Sequence, residues 1–206
     1  MSRFTGPRLK VLRSLQTDLP GLTRKTPNQR KNPAGQHGAT RKGRSGTGYG
    51  IRLSEKQKVR FNYGITEKQM RGYVREASRA KGASGKELLV LLESRLDNIV
   101  FRAGFAPTLP AARQLVSHKH IMVNGKSVNI PRFSVEAGDV ITVKDASRQM
   151  PLIVESIENP SLSLPNYLTV DTKDFSATVT QRPQVDDVPL SIEVNLIVEY
   201  YSRVGV

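Results

Sequence analysis

The chain has no cysteine, and only 18 acidic residues stand against 32 lysines and arginines in its 206 residues. Without cysteine there are no disulfides, no thiolate nucleophile and no thiolate metal site. Three scattered histidines, His37, His118 and His120, do not make a zinc site by themselves. No stretch reaches the ~18 consecutive apolar residues that a membrane-spanning helix needs. The start, Met1-Ser-Arg-Phe-Thr-Gly-Pro-Arg8, lacks the apolar core of a secretory signal. The expectation is a chain that acts in the compartment where it is made, or enters another by a route the sequence does not show.

The shortage of acid leaves a formal net charge of +14. That excess speaks about partners and not about fold. Nucleic acid is the first candidate and an anionic membrane the second. The excess is uneven: residues 1–60 hold 15 basic and 2 acidic residues, whereas residues 151–206 hold 3 and 8. An arm so charged repels itself unless a polyanion neutralises it.

Residues 1–50 are poor in core-forming side chains, apart from a short helical stripe of Leu9, Val11, Leu12 and Leu15. Pro20-Gly21, Asn32-Pro33 and Ala34-Gly35 are turn signals. This stretch reads as a basic, extended arm that a partner must order. Three capping-box patterns follow: Ser54-Glu-Lys-Gln57, Thr66-Glu-Lys-Gln69 and Ser84-Gly-Lys-Glu87. They predict helices ending near Gly64, near Gly82 and after Leu88-Leu-Val-Leu-Leu92. The faces of these helices carry Lys56, Lys58, Arg60, Lys68, Arg71, Arg75 and Arg79. A further helix is expected over Arg95 to Ala103.

The segment from Ala111 to Lys126 is the densest in signal. Ala111, Leu115 and Val116 make one apolar helical face. Arg113, His118, Lys119 and His120 gather at the helix end. Ile121 and Val123 alternate with Met122, and Asn124-Gly125 is the dipeptide a two-residue hairpin turn favours, since both turn positions need positive φ. A helix that delivers cations beside a hairpin can grip a phosphate backbone. The same window also fits an ordinary helix and hairpin with solvated charges. Short strands are expected at Ser127-Val-Asn-Ile130, around Phe133 and Val135, at Val140-Ile-Thr-Val143, at Tyr167-Leu-Thr-Val170 and at Ser176-Ala-Thr-Val-Thr180. Val194, Ile197, Val198 and Tyr201 form an amphipathic helix, for which the capped helices are the expected host.

The fold class predicted is α+β. A basic extended arm occupies 1–50, a helical domain 51–93 is completed by 151–206, and a small α/β module over 94–150 is inserted between them. In that module a helix pair packs on short antiparallel strands. A phosphate-binding loop is excluded at Gly82-Ala-Ser-Gly-Lys86, because Glu87 stands where Ser or Thr is required. Glycines 46, 48 and 50 follow no strand and fail as a dinucleotide fingerprint.

Three segments carry a family resemblance. Residues from Tyr49 to Gly64 and from Leu88 to Ala106 closely resemble the helical domain of the bacterial-type small-subunit ribosomal protein four family. Ala112 to Lys126 is similar to the RNA-binding module of that family, and Val198-Glu-Tyr-Tyr-Ser-Arg203 to its C-terminal ending. The start and the run Asp18-Leu-Pro-Gly-Leu-Thr-Arg-Lys25 look most like cyanobacterial and plastid members. The resemblance implies a structural ribosomal protein, a primary rRNA binder that nucleates the body of the small subunit by clamping a multi-helix junction. It implies ribosomal protein five as a neighbour, with an influence on decoding accuracy. The location implied is the small ribosomal subunit, in bacterial cytoplasm or plastid stroma. Many relatives carry an N-terminal cysteine cluster for zinc; this chain has none, so no metal is carried over. No cofactor, membrane or small-molecule substrate is expected.

The expected RNA ligands on the arm are Arg3, Arg8, Arg13, Arg41, Lys42 and Arg44. Lys56, Lys58, Arg60 and Arg71 form one face of the clamp, and Arg113, His118, Lys119, His120 and Lys126 the other. The two histidines serve either as pH-dependent donors or as packed or solvent-facing rings. Tyr200, Tyr201 and Arg203 are expected at a protein interface. The main rival is an RNA-modifying enzyme. Arg95-Leu-Asp97 resembles the catalytic motif of pseudouridine synthases, but Asn98-Ile-Val-Phe-Arg102 follows it on an apparent helix. The structural reading of Asp97 is a helix-end or salt-bridging residue. A third class, an architectural or membrane-surface protein relying on charge alone, would show little preference for structured RNA.

Overall fold

The computed structural model describes residues 4–26, 32, 35–38, 47–80 and 82–205. The chain divides into two compact units, one of residues 1–88 with 190–206 and the other of residues 89–189.

The first unit is helical. It holds α1 (Arg8–Leu15), α2 (Gly48–Asn62), α3 (Glu67–Arg79), the first half of α4 (Ser84–Glu93) and α8 (Val194–Val204). Leu12 on α1 is buried with Leu19 and Leu22, against Val11, Leu15, Phe61 and Leu190. Gly21 is required where it stands: its amide donates to Asn62 Oδ1 at 2.9 Å, and a Cβ there would lie 2.6 Å from the Asn62 carbonyl. α3 opens on the expected capping box. The Thr66 hydroxyl accepts from Gln69 N at 3.3 Å, and the Gln69 side chain accepts from Thr66 N at 3.0 Å. The expected box at Ser54 is not the start of α2. Thr47 caps that helix two turns earlier, its hydroxyl accepting from Gly50 N at 3.2 Å, so Ser54 lies inside.

α8 packs on α2 and α3. Ile197 and Tyr201 are its buried residues, four apart on one face. Polar contacts fix its register. Glu193 N donates to Glu55 Oε2 at 3.1 Å, Arg52 pairs with Glu199 at 2.6 Å, and Tyr201 OH donates to Glu67 Oε1 at 2.7 Å. Burial and the neighbouring Glu67 carboxylate push the Tyr201 hydroxyl far above its ordinary pKa, so it stays a donor.

The second unit contains α5 (Leu96–Arg102), α6 (Leu109–Ser117), α7 (Pro151–Glu158) and a sheet of five short strands. These are β1 (Ile121–Val123), β2 (Lys126–Ser127), β3 (Val140–Val143), β4 (Leu168–Asp171) and β5 (Ser176–Val179). Their order is β2-β1-β3-β5-β4, every pairing antiparallel. Ile121 stands opposite Val143 and Val123 opposite Ile141, and all four are buried, as period-two alternation requires. Asn124 and Gly125 have φ of 49° and 75°, the two positive values of the predicted turn. The mixture of helices with an antiparallel sheet is the α+β class.

Several expectations are corrected here. The sequence reading returned all of 151–206 to the helical domain, but only 190–206 belongs to that unit. The strands at 168–179 extend the module's own sheet instead, because β5 supplies backbone partners to β3, with Ala177 opposite Ile141. β2 is shorter than expected and ends at Ser127, with one further backbone bond to β1 from Val128 N to the Ile121 carbonyl at 3.3 Å. Phe133 and Val135 form no strand; Ser134 makes a single bridge to Arg95. α7 was not foreseen. Only Ile153 and Ser156 of it are buried, too short an apolar pattern to stand out.

Two buried polar clusters hold the start of α5. Asp97 has no exposed surface. Arg95 reaches its two oxygens at 2.9 and 2.7 Å, and Arg113 on α6 reaches Oδ2 at 3.0 and 2.7 Å. Glu93 accepts from Asn98 Nδ2 at 2.9 Å and from Tyr167 OH at 2.8 Å. Burial, then the Glu93 charge, raises the Tyr167 hydroxyl far above its ordinary value.

Asp97→Asn leaves two guanidinium groups without their counter-charge. It should cost about 3 kcal/mol in urea unfolding, the scale of a broken buried pair; a loss under about 1 kcal/mol would place the cluster on a solvated surface. Glu67 yields a pH prediction. Burial pushes its carboxyl up, but hydrogen bonds from Lys56 and Tyr201 and the charges of Lys56 and Arg60 outweigh that and hold it below the usual carboxylate value. A depressed folded pKa gives stability that is present above the unfolded value and is lost as pH falls through the folded one. The gap between wild type and Glu67→Gln should therefore be full near neutrality and shrink below about pH 4. An unchanged gap in acid would refute that role.

Candidate nucleic-acid interface

α3 separates its residues cleanly. Met70, Val74 and Ala77 face the core, while Lys68, Arg71, Arg75 and Arg79 are exposed. Spacings of three and four residues put these cations in one stripe, about 16 Å long at 1.5 Å per residue. Arg71 was an expected ligand; the other three stood among the helix-face cations without being assigned to the clamp. Their common spacing is the signal that separates a stripe from scatter.

Other expected ligands in this unit are already engaged. Lys56 is buried, donates to Glu67 at 2.9 Å and lies 4.9 Å over the Tyr200 ring. Lys58 pairs with Glu55 one turn away. The Arg60 guanidinium stacks 4.6 Å over Phe61, with its Nε buried. The exposed Arg8 donates to the Leu22 carbonyl at 3.2 Å, and Arg13 donates to the Asn32 carbonyl at 2.9 Å. Arg3, Arg41, Lys42 and Arg44 lie outside the described residues. Of the expected protein-interface residues, Tyr201 is buried in its own fold, Tyr200 is half-buried against Tyr201 and Tyr49, and Arg203 is exposed.

In the second unit, α6 ends in a motif that throws its last residues outward. Lys119 N donates to the Val116 carbonyl and His120 N to the Leu115 carbonyl, each at 3.0 Å. Lys119 takes the left-handed position with φ 64°, the place glycine favours. Leu115 and Val116 stay buried while His118 and Lys119 are exposed. The His118 and His120 rings lie 6.1 Å apart. His120 is half-buried and its Nδ1 lies 2.8 Å from Ser147 Oγ, so one histidine is a packed ring and the other a surface ring. Lys126 is exposed on β2, immediately after the turn, and Arg132 is exposed six residues on. Arg113 does not join this group, because its guanidinium is spent on Asp97.

The arrangement suits binding and not catalysis. Asp97, the one carboxylate weighed as catalytic, is sealed from solvent with both oxygens occupied. Among the described residues, no group of three or more His, Asp or Glu could hold a metal ion. No helix among them is long and apolar enough to cross a membrane.

A lysine in the left-handed region carries strain that glycine would not. Lys119→Gly should leave the fold as stable or more stable, by up to about 1 kcal/mol in urea unfolding. A clear loss of stability would mean that the lysine stem packs and that the position is structural.

Residues 3–93 match the Ribosomal protein S4/S9 N-terminal domain, and residues 94–141 match the S4 domain. A protein of Methylobacillus flagellatus, Small ribosomal subunit protein uS4, is 52% identical over 203 residues, covering 98% of this chain and 99% of the relative. Small ribosomal subunit protein uS4B of Nitrosomonas europaea matches at the same identity and coverage. A Synechococcus uS4 is 52% identical over 204 residues, again with 98% and 99% covered. With two successive domain matches and relatives aligned over nearly their whole length, the chain belongs to the small ribosomal subunit protein uS4 family.

Proposed function

We propose that this protein nucleates assembly of the small-subunit body by clamping a multi-helix rRNA junction, and that with ribosomal protein five it contributes to decoding accuracy. The ground beneath that reading is family membership, which makes the chain a structural, rRNA-binding ribosomal protein of the small subunit and not an enzyme. It works on the ribosome of a bacterial cytoplasm or a plastid stroma. The observation that supports the mode of binding is the division of the cations. Those on the α3 stripe and at the end of α6 point to solvent, whereas Lys56, Lys58 and Arg113 are matched by internal carboxylates.

Structured RNA has a deep, narrow major groove that side chains read poorly, so such a protein grips phosphates and 2′-hydroxyls. The stripe Lys68, Arg71, Arg75 and Arg79 and the group His118, Lys119 and Lys126 are the contacts assigned to this task. Arg203 and Tyr200 are the remaining candidates for the protein neighbour.

Co-sedimentation with small subunits followed by RNA footprinting tests the assignment. The salt dependence of rRNA affinity tests its physics. Replacing all four stripe cations by Gln should lower the log–log salt slope by about 3, since each phosphate contact releases roughly 0.7–0.9 counterion. Lys56→Gln should weaken the fold and leave the slope alone, because that charge is already paired. The reverse pattern would move the interface off α3 altogether.

A further inference from the structure

We propose that Asn124 is a latent deamidation site and that Asp139 keeps it closed in the folded protein. The Asn-Gly pair is the sequence in which the following backbone nitrogen reaches the side-chain carboxamide with least hindrance, because Gly125 has no Cβ. In the reaction, Gly125 N attacks Asn124 Cγ. The new N–C bond forms as the Cγ–Nδ2 bond breaks, and ammonia leaves with the proton from the Gly125 amide. Water then opens the succinimide at either carbonyl, giving aspartate or isoaspartate. Water is the only co-reactant, and both turn residues are exposed.

The fold opposes the first step. Asn124 Oδ1 accepts from Val140 N at 2.9 Å, and its Nδ2 donates to Asp139 Oδ1 at 2.7 Å. The Asn124 amide donates to the Val140 carbonyl at 2.8 Å. Asp139 is itself anchored, its second oxygen accepting from Glu136 N at 2.9 Å. The carboxamide is thus held to the start of β3 by both of its polar atoms. It must release both before its carbon can turn to Gly125 N. This explains why Asn124 does more than shape the turn: it joins the β1–β2 hairpin to β3.

The change runs one way. An aspartate at 124 has no proton to offer Asp139, and two carboxylates at that spacing repel. An isoaspartate lengthens the backbone of a two-residue turn whose register pairs Val123 with Lys126. A chain that lingers unfolded therefore acquires a mark that loosens the hairpin when it folds.

The test uses the full-length protein in mildly alkaline buffer and follows the Asn124 peptide by mass spectrometry, with enzymatic methylation to count isoaspartate. Folded wild type should convert roughly tenfold more slowly than the same chain in urea, since held hydrogen bonds must open first. Asp139→Asn keeps an acceptor and should stay near wild type. Asp139→Ala should convert several times faster while its circular dichroism remains native. Equal rates for folded and urea-unfolded wild type would overturn the proposal, as would a folded Asp139→Ala no faster than wild type. If Asp139→Ala fails to fold, Asp139→Ser takes its place, its shorter side chain giving up the Asn124 contact: a folded Asp139→Ser no faster than wild type removes Asp139 from the role.

Discussion

A carboxylate with no exposed surface must be matched in charge and in hydrogen bonds, and Asp97 is that group in the sheet-bearing unit. Arg95, the residue just before α5, closes on it from one side, and Arg113 on α6 from the other. Because Arg113 has to point inward, α6 can present only one face to the interior. Leu109, Ala112 and Val116 share that face and are buried. The helix then ends with His118 and Lys119 outside. The placement of the exposed cations at the end of α6 is thus a consequence of an ion pair whose carboxylate is fully buried. Backbone bonds reinforce it: Leu96 N donates to the Phe133 carbonyl at 2.9 Å and Val135 N to the Ser94 carbonyl at 2.8 Å.

The helical unit follows the same rule with different residues. Glu67 takes Lys56 and Tyr201, while Glu55 takes Lys58 and the backbone of Glu193. Internal acids are few, so they select which cations are drawn in. On α3 the acid beside the outer stripe, Glu76, is itself exposed, and Lys68, Arg71, Arg75 and Arg79 remain in water. The scarcity of acid in the chain has this local meaning. Cations with an internal partner build the fold, and those on the α3 stripe stay exposed.

That division also explains what could be read from sequence. The Thr66 capping box, the Asn124-Gly125 turn and the α8 stripe are local patterns whose cause lies within a few residues, and all three stand in the structure. The Ser54 box is equally local but lost to Thr47, because a cap works only where the chain first turns helical. The fate of Arg113 was not legible, since its partner Asp97 is 16 residues away in sequence and the charge alone looks the same paired or free. The joining of β5 to β3 was hidden for a like reason. A four-residue strand carries no information about which edge it will complete. Family resemblance supplied the rRNA-binding expectation that local patterns alone left open.

Lys119 shows how folding and binding compete at one position. The motif that ends α6 needs a left-handed residue, and glycine would fill it without a steric penalty. Lysine accepts that penalty and places an ammonium where the chain leaves the helix. Nothing in the internal hydrogen bonding of the turn uses the side chain, because both capping bonds come from backbone amides of Lys119 and His120. The backbone requirement and the side-chain identity are therefore separable. The first is satisfied by any residue that tolerates positive φ. The second has a rationale only if something outside the chain meets the charge, which is the condition that a phosphate backbone beside α6 would fulfil.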